Sequence, residues 1–169
     1  YYQPRDIVSG DFYFFAEVGN KKIVAACDCT GHGVPGAFMS MIGNDFLYRI
    51  VNELQITDTG KILNELHRNI LQAMNQGENN RTSYDGMDMV VLCYDSEKKE
   101  VQYSGAVRPM YYFDASGFHD VRGDRYSIGG VAGSSFEFSS QKISVNHSTS
   151  FYLFSDGYAD QFGGSDGKK

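Results

Sequence analysis

The chain has no tryptophan, only three cysteines and no block of like charge among its 169 residues. Three is an odd number, and Cys27, Cys29 and Cys93 make no disulfide framework by their spacing. Reduced thiols in a cytoplasmic compartment are therefore expected. Cys27 and Cys93 lie inside apolar runs and read as small buried hydrophobes. No apolar run approaches the roughly 18 residues that a spanning helix needs, and no signal-peptide pattern opens the sequence. A formal net charge of −6 supplies no basic face, which argues against nucleic acid as a partner. No glycine-rich loop carries the Lys-Ser or Lys-Thr pair that cradles nucleotide phosphates. No two of the four histidines have metal-ligand spacing. Internal repeats, low-complexity tracts and linkers are also missing, so one compact unit is the expectation.

What is present favours sheets. Aromatics make up 14% of the chain, all of them Tyr or Phe, and 19 glycines supply turns. Strand patterns cover 11–18 and 22–28, joined at Gly19-Asn20, a tight hairpin signal. Two helical stretches follow, at 35–51 and 59–75. In the first, Ala37, Met41 and Phe38, Ile42, Phe46, Ile50 recur at intervals of three and four and predict one apolar face, with Pro35 near the first turn. In the second, Ile62, Leu63, Leu66, Ile70, Leu71 and Met74 share a side, and Gly77 is a plausible stop. After a polar loop at 76–85, strands return at 87–94, 100–104, 110–113, 118–121, 143–145 and 150–155. Two strands, two helices and a meander give an α+β order, which predicts two antiparallel sheets packed face to face with helices outside.

Carboxylates stand where strands begin or end. The apolar run Ile23-Val24-Ala25-Ala26-Cys27 stops at Asp28 and opens into Cys29-Thr30-Gly31-His32-Gly33. Phe151-Tyr152-Leu153-Phe154-Ser155 runs into Asp156-Gly157, with Asp160 four positions on, and Asp11 heads the run Phe12-Tyr13-Phe14-Phe15. An aspartate in a glycine-rich turn is commonly just a turn former. Three of them brought together would repel strongly, and a pair of divalent cations would remove that conflict. Hard oxygen donors of this kind suit Mg²⁺ or Mn²⁺.

Four segments in order, Ser9-Gly10-Asp11-Phe12, Asp28 through Ala37, Asp85-Gly86-Met87-Asp88 and Ser155 through Gly164, resemble the metal-dependent protein serine/threonine phosphatases of the PPM family, specifically the SpoIIE-like bacterial branch. The resemblance covers essentially the whole chain, read as a single phosphatase domain over 1–169. It implies an αββα sandwich that binds two Mn²⁺ or Mg²⁺ ions and hydrolyses phosphoserine or phosphothreonine on a protein. Asp11, Asp28 and Asp156 are the implied catalytic residues. Asp28 would bridge both ions, Asp11 would sit on one and Asp156 on the other. Cys29 would offer a backbone carbonyl where relatives usually supply that of a glycine. Asp160 is a further metal-ligand candidate, since it matches a position that some relatives use for a third ion; those relatives also place an aspartate where this chain has Gly105-Ala106-Val107-Arg108, which counts against a third site here.

The family also takes a last metal-binding aspartate from a C-terminal strand that follows the segment seen here. Both ends of the chain read as cuts through a longer polypeptide, with metal affinity expected to be weak and a sheet edge left open. By resemblance, the partners would be a phosphorylated anti-sigma-factor antagonist as substrate and an upstream sensory or receiver domain docking on the two helices, with a homodimer as a further expectation. A missing N-terminal region could anchor the full-length protein to a membrane. The alternative is a weakly active or non-catalytic interaction module of the same fold.

Four other residues have two readings. His32 is a loop histidine or the proton donor to the leaving oxygen. Arg108 is a surface salt-bridge partner or a fork for the substrate phosphate. Asp88 either supports the metal site from behind or caps a turn. His67 is an exposed or hydrogen-bonded helix residue.

Overall fold

Strand β2, Lys21–Cys29, shows how the sequence makes layers. Ile23, Ala25, Cys27 and Cys29 are all buried on one face, and Val24, Ala26 and Asp28 alternate with them on the other. The structure, a computed structural model, describes residues 1–3, 7–31, 33–74, 86–130, 136–157, 160 and 163. Around β2 the elements are β1 (Phe12–Val18), α1 (Gly33–Tyr48) with a π-helical continuation over Arg49–Glu53, α2 (Thr59–Ala73), β3 (Met87–Asp95), β4 (Glu100–Ala106), β5 (Met110–Asp114), β6 (Gly117–Val121), β7 (Gln141–Ser144) and β8 (Ser150–Tyr152).

Five strands form one sheet in the order β1-β2-β3-β4-β7, and three form a second in the order β6-β5-β8. Every pairing is antiparallel. Two cores lie on either side of the larger sheet. On the helix side, Ile23, Ala25, Met89 and Val91 pack with Leu47, Ile50, Ile62, Leu66 and Ile70. On the other side, Val90, Leu92, Val101 and Tyr103 meet Met110, Tyr112 and Phe151 of the smaller sheet and Leu153 just beyond it. This is the expected α+β sandwich of two antiparallel sheets flanked by helices; among the described residues both helices lie against the five-stranded sheet. No helix among those residues is long and apolar enough to cross a membrane.

Helix α2 matches its expected face, with Ile62, Leu63, Leu66 and Ile70 buried. Asp58 caps it by accepting the Lys61 N–H at 2.9 Å, which satisfies one of the open donors of the first turn. Helix α1 matches in part: Ile50 is fully buried and Ile42 and Phe46 pack against the core as expected. It buries Gly36, Met39, Gly43 and Leu47, whereas Phe38 and Met41 are 61% and 67% exposed. The reason is close approach. A Cβ at Gly36 would stand 2.7 Å from the Gly31 carbonyl oxygen, so the backbone there admits only glycine, and one at Gly43 would stand 2.4 Å from the Met87 methyl, which would have to move aside. Strand β8 is also shorter than expected. It pairs with β5 through Tyr152 and then leaves the sheet, which turns Ser155 and Asp156 toward the rim. The 76–85 loop, Gly77, Asp85 and His32 lie outside the described residues.

Candidate active site

Strands β2 and β3 pair with Asp28 directly opposite Asp88, one residue before β2 ends. Alternation puts both carboxylates on the face that meets the smaller sheet, at the rim where the two sheets part. Asp156 reaches the same rim from the turn after β8. Asp11 arrives from the residue before β1, held by Ser155, whose Oγ donates to its Oδ2 at 2.8 Å. Behind it, Gly10 threads between carbonyl groups, since a Cβ there would stand 3.0 Å from the oxygens of both Cys29 and Gly31. The three aspartates singled out in the sequence therefore converge from segments up to 145 positions apart.

Arg108 stands among them. One of its terminal nitrogens, Nη2, donates to Asp28 Oδ2 and to Asp156 Oδ2, each at 2.6 Å, and lies 3.5 Å from Asp88 Oδ2. Burial works against its charge, but the hydrogen bond to Asp156 and the charges of Asp28, Asp156 and Asp88 outweigh that and raise its pKa. The surface salt bridge expected for Arg108 is thus corrected: it belongs to the cleft. Asp88 stands in the same cleft, 3.5 Å from the guanidinium. Ser127 Oγ donates to it at 2.5 Å, on a loop tied to β3 by the reciprocal Met87–Ile128 backbone pair.

The cleft carries more negative charge than one guanidinium offsets. Asp28 is pushed up to about 7, first by burial and then by the neighbouring Asp11 and Asp156 carboxylates, with a hydrogen bond to Asp11 adding to the effect. A carboxyl so crowded is the chemical condition that a divalent cation relieves, and every side-chain donor in the cluster is a hard oxygen. Cys29 does not change that donor set. Its thiol is buried and pushed up to about 12 by burial, then by Asp28 and Asp11, so it stays neutral and leaves only its carbonyl to offer. The residues fit Mg²⁺ or Mn²⁺ by chemistry. Their present arrangement closes on Arg108 instead: among the described residues, no three acidic, imidazole or thiol side chains gather around one point closely enough to hold an ion as they stand. Asp160 sits one turn beyond Asp156, its N–H donating to the Asp156 carbonyl at 2.8 Å, and it is exposed.

The family model described as "Stage II sporulation protein E (SpoIIE)" matches residues 19–168. The chain belongs to the SpoIIE family. Solved structures agree on a PP2C-type phosphatase fold. The SiaA PP2C domain of Pseudomonas aeruginosa is 27% identical with a TM-score of 0.83, over 98% of this chain and 63% of that one. The RsbU and RsbW domains of Rv1364c from Mycobacterium tuberculosis match at 21% identity and 0.73, over 94% of this chain and 42% of theirs. RsbX, solved in complex with magnesium, matches at 15% identity and 0.66, over 90% of this chain and 69% of that one. A search of curated proteins gives no match. This SpoIIE-family chain thus spans less than two thirds of the length of the SiaA chain it resembles.

Sequence reasoning passed over Ser127, for which the sequence carries no signal, and undervalued Ser155, which stands inside the Ser155-Asp156-Gly157 segment that drew attention. The signal for Arg108 was the Val-Arg-Pro step between two strands, where the chain crosses from one sheet to the other.

Proposed function

We propose that this domain hydrolyses phosphoserine or phosphothreonine on a protein, with two Mn²⁺ or Mg²⁺ ions, as the output of a bacterial signalling protein. The observation that carries the reading is the meeting of Asp11, Asp28, Asp88 and Asp156 at one rim of a PP2C-type fold. Asp28, Asp11, Asp156 and the Cys29 carbonyl would hold the ions, with Ser155 and Ser127 fixing the carboxylates of Asp11 and Asp88. When bound, such ions lower the pKa of a water and neutralise charge on a phosphoryl oxygen. Asp28 must be ionised to serve, and a cation beside it would hold it so. Asp156 is 46% exposed and is the carboxylate of the rim a phosphorylated side chain could reach from solvent. RsbX in complex with magnesium supports the choice of metal, and the substrate proposed is the phosphorylated anti-sigma-factor antagonist that the family resemblance implies.

A second reading, a weakly active interaction module, has one observation in its favour: the carboxylates are closed on an arginine. Mn²⁺-dependent release of phosphate from a phosphopeptide separates the two. The catalytic reading expects turnover in the wild type and a loss of about 10²–10³-fold in Asp28→Asn and in Asp156→Asn, the scale seen when electrostatic stabilisation of a transition state is removed. Turnover that survives both substitutions would reject it.

A further inference from the structure

The backbone around Arg108 is held by the fold, whereas its tip is held by the cleft carboxylates. Tyr103 Oη donates to the Arg108 carbonyl at 2.9 Å. The Val107 N–H donates to the Asp124 carbonyl, and the Arg108 N–H donates to the Ala106 carbonyl, each at 2.8 Å. That last bond spans three residues across Val107, whose φ is +68°. A tight turn of this hand is the rare, strained form, and a β-branched residue at positive φ is an outlier. Pro109 then restricts Arg108 itself to extended backbone. A Cβ at Gly105 would stand 2.3 Å from the Arg108 carbonyl oxygen, so the strand beneath has been cleared to let the turn close. At the other end of the side chain, among the described residues the guanidinium pairs with Asp28, Asp88 and Asp156, and its buried Nε has no hydrogen-bond partner there.

We infer that Arg108 is a resident counter-cation of this cleft, holding the Asp28, Asp88 and Asp156 carboxylates until a divalent cation takes them and turns the guanidinium out. The inference rests on the reading of the rim as a divalent-cation site. A single nitrogen 2.6 Å from an oxygen of Asp28 and an oxygen of Asp156 engages the same atoms that an ion would need. Oxygen ligands stand about 2.0–2.2 Å from Mg²⁺ or Mn²⁺, so an ion on those two oxygens would overlap the nitrogen, and like charge would repel it. The two states exclude each other. Charge decides which wins when ions are present, because one guanidinium offsets one of four carboxylates, whereas two divalent ions offset all four. The strained turn at Val107 fixes the pivot, so the movement is a swing of the side chain. Metal affinity therefore contains the cost of displacing Arg108, and whatever draws Arg108 away tightens the metal by the same factor.

The test uses the intact protein and Mn²⁺ alone as the probe. Calorimetric titration should give Arg108→Gln an affinity for Mn²⁺ about tenfold tighter than wild type, within the usual range of couplings between sites, with Arg108→Lys between the two. Metal-free Arg108→Gln should also melt below the wild type. In the wild type, phenylglyoxal should modify Arg108 several-fold faster at saturating Mn²⁺ than without it, read by mass spectrometry; this arm needs no variant and stands if Arg108→Gln fails to fold. Affinity in both Arg108 variants equal to or weaker than wild type, or reactivity unmoved by Mn²⁺, overturns the inference. Should Asp28→Asn bind Mn²⁺ as well as wild type, or no form bind it, the cation-site reading fails and this inference with it.

Discussion

Strands β2 and β3 supply both the best-packed part of this molecule and its least comfortable part. Along their helix-facing sides Ile23, Ala25, Met89 and Val91 have 1% exposure or less and meet Leu47, Ile62, Leu66 and Ile70, all fully buried. At the end of the same strands, on the other face, Asp28 lies opposite Asp88 with Asp11 and Asp156 close by. In the first region each neighbour favours burial of the next. In the second, burial and the Asp11 and Asp156 carboxylates raise the cost of ionising Asp28, and one arginine bridges Asp28 to Asp156. The contrast teaches where this fold makes its stability and where it gives some up, since local conflict is what a reactive site keeps and a core eliminates.

The largest expected effect comes from the packed side. Leu66→Ala would leave a cavity beneath α2 where Leu66 is fully buried, at a cost of about 2–5 kcal/mol. Urea denaturation of the metal-free protein measures it. A loss under about 1 kcal/mol would mean that the helix-backed core is far more yielding than its burial implies, and the division between the two regions would not hold.

How much of this was legible beforehand differs between the two helices. Helix α2 has polar and apolar residues in clean alternation of period 3.6, so its buried face could be read from Ile62, Leu66 and Ile70 alone. Helix α1 is apolar nearly all round, and its contact face includes Gly36, where closeness of backbone outweighs side-chain hydrophobicity, and Gly43, which lies under the Met87 side chain. Counting large apolar residues therefore chose Phe38 and Met41, which ended up outside. A pattern that scores only bulk does not register a residue whose contribution is its absence of bulk.

The rim divides in the same way. Asp11, Asp28 and Asp156 could be picked out because each terminates or heads a strand, and a strand end is a place that chain order makes visible. Arg108 could not be placed among them, since its partners are 80 and 48 positions away and depend on how β4 crosses to β5. Ser127 was invisible for a similar reason: it reaches Asp88 only because Ile128 bridges to Met87. Local pattern finds the ligand types; only tertiary register finds what surrounds them.

An intermediate effect is expected from the turn beside the rim. Val107→Gly removes a β-branched side chain from positive φ, relieving strain of about 1–3 kcal/mol, while the greater freedom of glycine in the unfolded chain returns roughly 0.5–1 kcal/mol. Metal-free Val107→Gly should therefore gain about 1 kcal/mol by urea denaturation, a rare case of a glycine stabilising a protein. A decrease would show that the turn is comfortable as it stands and that the rim stores no strain there.

The smallest effect links the two regions. His67 projects from α2, packs edge-on against Phe138 at 5.9 Å and accepts the Gly129 N–H at Nδ1, 3.0 Å away, two residues beyond the serine that holds Asp88. Burial lowers its pKa below the ordinary 6.5. The folded state thus prefers the neutral ring. Its contribution to stability is complete above the ordinary value and is lost as pH falls through the depressed folded one. Protonation also gives Nδ1 a hydrogen of its own, so the Gly129 N–H loses its acceptor, at a cost of about 0.5–1 kcal/mol for a partly exposed bond. His67→Asn keeps an acceptor near the same place and cannot titrate. Between pH 7 and pH 5 the wild type should lose that increment relative to His67→Asn, measured as the difference in urea midpoints at each pH. Parallel curves for the two proteins would mean that α2 and the loop behind Asp88 are not joined through this ring, and that acid reaches the rim only by way of its own carboxylates.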